Sequence, residues 1–141
     1  MEDSVFTKII KGELPSHKVY EDDTTLALMP LHPVAQGHVL VIPKTQVDSF
    51  YDLENDDYIA LMQTVKKIAK RMKEVLGTKR VGLQIVGLDV PHAHVHVIAF
   101  DTLEEFRQVE DKTAPPDHES LAKMRSEEHT SELQSHSFIS Y

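Results

Sequence analysis

The chain contains no cysteine, so neither a disulfide nor a thiolate metal site can contribute to its fold or chemistry. It also lacks a charged start followed by an apolar signal core, and no apolar run is long enough to cross a bilayer. A cytoplasmic protein is the expectation. Positive charge is the minority sign: 15 Lys and Arg stand against 23 Asp and Glu, a formal net charge of −8. That balance argues against a general binder of nucleic acid or anionic membranes. It leaves room for an anionic small ligand, because a local site can be positive on an acidic protein. No internal repeat is visible. What is present is ordinary, 141 residues of which 40 % are hydrophobic and 27 % charged, as in one globular domain with a real core.

Along the chain, Val5, Phe6, Ile9 and Ile10 predict one side of a short helix, ended by Gly12 and kept from resuming by Pro15. Lys18–Glu21 and Leu26–Met29 read as hairpin strands around the turn-prone Asp22-Asp23. Pro30, Pro33 and Gly37 predict an irregular loop around His32 and Val34. His38–Ile42 is a nearly continuous apolar strand halted by Pro43, the pattern of a central strand covered on both faces. Leu61, Val65, Ile68, Ala69, Met72 and Leu76 then recur at helical spacing, with Asn55 and Asp56 as N-cap candidates and Gly77 as the stop. Lys66, Lys67, Lys70, Arg71 and Lys73 mostly take the other side, which reads as a solvated face rather than a phosphate patch. Arg80–Val86 is a further strand, and Gly87-Leu88-Asp89 turns the chain into the next. Short connections in this order predict an α+β fold, an antiparallel meander with helices on one side.

That next stretch, Pro91-His92-Ala93-His94-Val95-His96-Val97-Ile98-Ala99-Phe100, carries the chemistry. Strand geometry places His92, His94 and His96 on one face, and Ala93, Val95 and Val97 on the other, with Pro91 suited to a strand start. A neutral imidazole is a nucleophile near neutral pH, and its protonated form donates hydrogen bonds to anions. One ring can therefore attack while its neighbours hold charge, as phosphoryl chemistry requires. If the His38 strand lies beside this ladder, four imidazoles meet at one site. Asp89 reads as a turn residue.

The His92–Ile98 stretch matches the His-φ-His-φ-His-φ-φ motif and resembles the histidine triad (HIT) family. Phe6–Pro15, Val19–Asp23 and Gly37–Lys44 are similar to the N-terminal half of its Hint-like branch, so the resemblance spans Val5 to Phe100 in order. It implies a HIT-like fold, with a short N-terminal helix and one long helix packed on the sheet. It also implies a hydrolase or transferase acting at the α-phosphorus of a purine nucleotide conjugate. His94 would be the nucleophile of a nucleotidyl-histidine intermediate, and His96 would bond the phosphate oxygens. His92 and His38 would complete the ring of donors, and the backbone carbonyl of His92 would set the His94 tautomer. Phe6, Ile9, Leu28 and Leu31 would line the base pocket, with a place in the plain hydrophobic core as the alternative, weighed evenly for Ile9 and Leu28. A homodimer is implied, with no cofactor.

The departures matter. Many relatives bind zinc through two N-terminal cysteines and a later histidine, where this chain has Ser4, Thr7 and Gln46; no metal is expected. Pro30 stands where relatives place an Asp or Asn for the ribose hydroxyls. The Gly87–Pro91 loop is short and lacks the usual Gly-Gln pair and hydroxyl found near the leaving group; contact of Asp89 with that group, as an acid or an amine anchor, is the alternative to its reading as a turn residue. A nucleotide-binding module without turnover and a histidine metal site remain the alternatives. His17, His32 and His118 are expected on the surface or in loops. The domain is expected to span 1–113, with a truncated extension at 114–124. From Arg125 to Tyr141 the sequence resembles an in-frame translation of a short-read sequencing adapter; this tail is expected to be non-native, the native C-terminus missing, and the net charge without it −6.

Overall fold

Strands whose residues are apolar on both faces end up with both faces covered, and they organise this molecule. The computed structural model describes residues 2–31, 33, 37–108, 118, 119 and 121. The predicted extension and tail boundaries, together with His32 and Val34, lie outside them. Five strands form one antiparallel sheet: β1 (His17–Glu21), β2 (Thr25–Met29), β3 (His38–Pro43), β4 (Arg80–Gln84) and β5 (Val95–Phe100). Their spatial order is β1-β2-β3-β5-β4. The first three make the expected meander. The long helix α2 (Asn55–Leu76) then carries the chain to the outer edge, and β5 returns between β3 and β4. The last hairpin is thus inserted rather than appended, which sets β5 directly beside β3.

Both predicted helices form, but on opposite faces of the sheet. α2 lays Leu61, Val65, Ile68 and Met72 against Val39, Val41, Val95 and Val97. The helix α1 (Val5–Ile10) sets Phe6 and Ile9 against Leu26, Leu28, Leu40 and Ile42 on the other face. The expectation of helices on one side fails because β2, β3 and β5 alternate two apolar sets, and each set needs a cover. Fully burying one such side chain is worth roughly 1.5–3 kcal/mol. A short third helix, α3 (Leu103–Phe106), is held by a capping box between Thr102 and Glu105.

Local signals account for most element ends. Gly77 takes a left-handed conformation, φ 65°, and its N–H bonds the Lys73 carbonyl, as a helix C-terminus requires. The α2 N-cap is Glu54, without a side-chain cap bond, and Asn55 is already helical, one residue earlier than the capping pattern suggests. Lys66, Lys70 and Lys73 are solvated, whereas Lys67 is half-buried and donates to the Tyr20 hydroxyl at 3.1 Å. Burial, with the Asp22 carboxylate beside it, pushes that hydroxyl up to about 12. β4 stops at Gln84, short of the predicted Val86.

Candidate active site

β5 begins only at Val95, so His92 and His94 precede the strand they were expected to occupy. The backbone leaves the ladder there because its donors go elsewhere: Ala93 N–H to the Val47 carbonyl at 2.7 Å, and His92 N–H to that of Val90 at 2.8 Å. The antiparallel register places Leu40 opposite His96 and His38 opposite Ile98. His38 and His96 therefore share a face as diagonal neighbours, and their rings meet with His38 Nε2 2.9 Å from His96 Nδ1. The His94 and His96 rings are 5.1 Å apart. All four histidines come together as expected, every one of them buried.

Their environments divide them into two kinds. His94 and His96 line a cavity of about 460 Å³, walled by Phe6, Ile9, Leu28 and Leu31, so the four expected base-pocket residues do surround one space. Phe6 turns its ring edge-on to His94, centroids 5.0 Å apart, so α1 also supports the histidine face. Pro30 and Asp89 line the same cavity, and Asp89 Oδ1 lies 3.8 Å from His94 Nε2. His92 and His38 stand behind this pair. Burial first, then the charge of His96, lowers the His38 imidazole to about 3. Burial likewise lowers His92, partly offset by its bond to the Pro43 carbonyl. Both are neutral at physiological pH.

Neutral rings have one donor and one acceptor, which lets the protons be assigned. His92 Nε2 donates to the Pro43 carbonyl at 2.7 Å, so His92 Nδ1 accepts, and Ser4 Oγ donates to it at 2.7 Å. His94 Nδ1 donates to the His92 carbonyl at 2.8 Å. A neutral His94 thereby keeps its lone pair on Nε2.

Ser4, Thr7 and Gln46 are the residues to which sequence reasoning gave no role. Gln46 Oε1 accepts from Ser4 N–H at 2.8 Å and from Thr7 Oγ1 at 2.5 Å, and Ser4 Oγ caps Thr7 N–H at 3.0 Å. These groups saturate one another and His92. Two hydroxyls, a neutral amide and one imidazole are not a zinc donor set, and they do not fit that metal. Among the described residues, no group of three or more His, Asp or Glu could hold a metal ion. Ser4→Ala leaves the buried His92 Nδ1 only the longer contact with Thr7 Oγ1, 3.4 Å, and uncaps α1. Its expected cost is about 1–3 kcal/mol of stability, measured as a fall in the denaturant midpoint with an unchanged slope.

His38 gives the site a pH signature. Its folded-state pKa lies below the unfolded value of 6.5, so the unfolded chain binds more protons between pH 6.5 and about 3. Stability is full above pH 6.5 and falls as pH drops through that window, by about 2 kcal/mol at pH 5. Thermal scans of native protein and His38→Gln should show the variant losing much less stability between pH 7 and pH 5.

Of the other histidines expected on the surface or in loops, His118 is exposed, and His17 departs from the expectation. His17 is half-buried on β1, and its Nε2 lies 2.7 Å from His118 Nδ1 with the rings stacked. His118 also lines the cavity.

Comparison with known proteins agrees with this geometry. A family model described as the HIT domain matches residues 11–103. An uncharacterised HIT-like protein of Borreliella burgdorferi is 38 % identical over 70 % of this chain and 76 % of its own length. The adenosine 5'-monophosphoramidase HNT1 of Saccharomyces cerevisiae is 34 % identical, over 67 % of this chain and 60 % of that protein. Among solved structures, a Hit-like protein from Bartonella henselae superposes with a TM-score of 0.79 at 28 % identity, covering 90 % of this chain and 94 % of that one.

Proposed function

The chain belongs to the histidine triad (HIT) family, and from that premise we propose that it hydrolyses nucleoside 5'-phosphate conjugates at the α-phosphorus through a nucleotidyl-His94 intermediate. The observation that carries this reading is the bond from His94 Nδ1 to the His92 carbonyl, which directs the other ring nitrogen to a cavity of nucleotide size. Phe6, Ile9, Leu28 and Leu31 supply an apolar slot for a purine. With His38 donating to His96 Nδ1, His96 retains its Nε2–H for the phosphate oxygens.

In the first step the Nε2 lone pair of His94 forms a bond to phosphorus as the bond to the leaving group breaks. The leaving group departs with that electron pair and takes up a proton. Water then replaces the imidazole on phosphorus, releasing the nucleoside monophosphate and freeing Nε2. No step uses a metal, in keeping with the internally satisfied Ser4–Thr7–Gln46 cluster.

The test is direct capture of the intermediate. Native protein is mixed with adenosine 5'-phosphoramidate, quenched without acid, and weighed intact. A transient increment of one adenylyl group, lost as adenosine monophosphate accumulates, is the expected result. Tight nucleotide binding with neither adduct nor turnover would instead make this a binding module.

Two expectations accompany the reading. No helix among the described residues is long and apolar enough to cross a membrane, which suits the proposed cytoplasmic site of action. A homodimer is proposed as well, supported by β4 at the sheet edge with Leu83, Ile85, Val86 and Leu88 exposed on or beyond it.

A further inference from the structure

We propose that Asp89 is a specificity-determining residue that selects leaving groups by charge, favouring neutral or cationic amines on phosphorus and rejecting anionic groups such as phosphate chains. This deepens the hydrolase reading and rests on it. Asp89 Oδ1 is 3.8 Å from His94 Nε2, and its side chain is 39 % exposed on the cavity wall. The apolar wall formed by Phe6, Ile9 and Leu28 takes the base, and His94 and His96 mark the phosphate. The leaving group must extend from phosphorus away from the base, within a few ångströms of this carboxylate.

The rest of the lining sharpens the argument. Among the described residues around the cavity, Asp89 is the one carboxylate, and no lysine or arginine is present. A site built for a polyphosphate leaving group needs cations where negative charge accumulates as the bond breaks. Among the described lining residues, the formal charge at that end has the opposite sign. An amine is different: once the P–N bond breaks, nitrogen holds the electron pair, takes up a proton and leaves uncharged, becoming ammonium in water. A carboxylate beside it stabilises that gain of positive character. For unit charges separated by about 6 Å in a half-exposed setting, each change of leaving-group charge is worth about tenfold in rate.

The experiment uses three adenosine 5'-phosphoramidates whose amine chains are of equal length and end in an ammonium, a methyl or a carboxylate. Native protein should show kcat/KM falling about tenfold at each step along that series. Asp89→Asn should compress the series to within about twofold, chiefly by raising the carboxylate substrate, and Asp89→Lys should invert it. A flat series in native protein, or one unchanged in Asp89→Asn, overturns the proposal. Affinities of the same three compounds for His94→Ala protein, measured by calorimetry, read the selection without turnover. A charge-ordered series there, reduced by adding Asp89→Asn, sustains the role of Asp89 even if native protein proves unable to hydrolyse any of them. That outcome would remove the hydrolase reading alone.

Discussion

Replacing His94 with alanine is expected to lower kcat by at least about 10⁴-fold, the scale of loss when a covalent nucleophile is removed. Affinity for adenosine monophosphate should stay within a few-fold of native, because the apolar wall and His96 remain. The separation of effects follows from the geometry. His94 contributes one ring to the cavity, whereas Phe6, Ile9, Leu28 and Leu31 contribute the walls. His94 is also buried and bonded to the His92 carbonyl, so the variant will lose some stability, and kinetics belong well below its unfolding transition. Steady-state hydrolysis together with calorimetric titration decides the matter. Turnover retained within tenfold of native would mean that another group attacks phosphorus.

The second large effect concerns Gly37, the residue before His38. A Cβ built at Gly37 would lie 2.3 Å from a terminal methyl of Leu76 and 3.0 Å from the Ala99 Cβ. Leu76 can rotate away, but Ala99 belongs to β5, and its N–H bonds the Gly37 carbonyl at 2.8 Å. Gly37→Val therefore has to part β3 from β5 or shift the end of α2. We expect a loss of about 3 kcal/mol, at the upper end for overpacking, measured by denaturant unfolding. Activity should fall as well, since the same β3–β5 pairing brings His38 to His96. An unchanged midpoint would show that the strands can separate there without cost.

What could be read from residue order was whatever follows from period. The nearly continuous apolar run of His38–Ile42 predicts a strand covered on both faces, and both covers are present. The His92–Val97 alternation predicts a shared face for the histidines. Their convergence holds, although β5 starts later, because Val47 and Val90 carbonyls capture the donors of Ala93 and His92. No local pattern announces such long-range capture. The same limit hid how Ser4, Thr7 and Gln46 bond one another, although the resemblance already groups them as the positions of zinc ligands in relatives. Neutral polar residues about 40 positions apart in sequence carry no spacing signal, and their value appears only when folding brings Gln46 against the start of α1. The face chosen by α1 was equally hidden, since Phe6 and Ile9 specify that the helix is amphipathic but not which apolar sheet surface it meets.

The two-sided sheet makes enzymatic turnover a reporter of strand alignment. Along β3 and β5, His38, Leu40, His96 and Ile98 face away from α2 and alternate with valines and an alanine that pack with it. Sliding β5 past its neighbours by a single position would send His96 into the hydrocarbon layer and Val95 and Val97 toward the cavity. Stability and activity would be lost in the same event, so a molecule that turns over its substrate has its strands paired correctly. Refolding yield can therefore be counted in catalytic units.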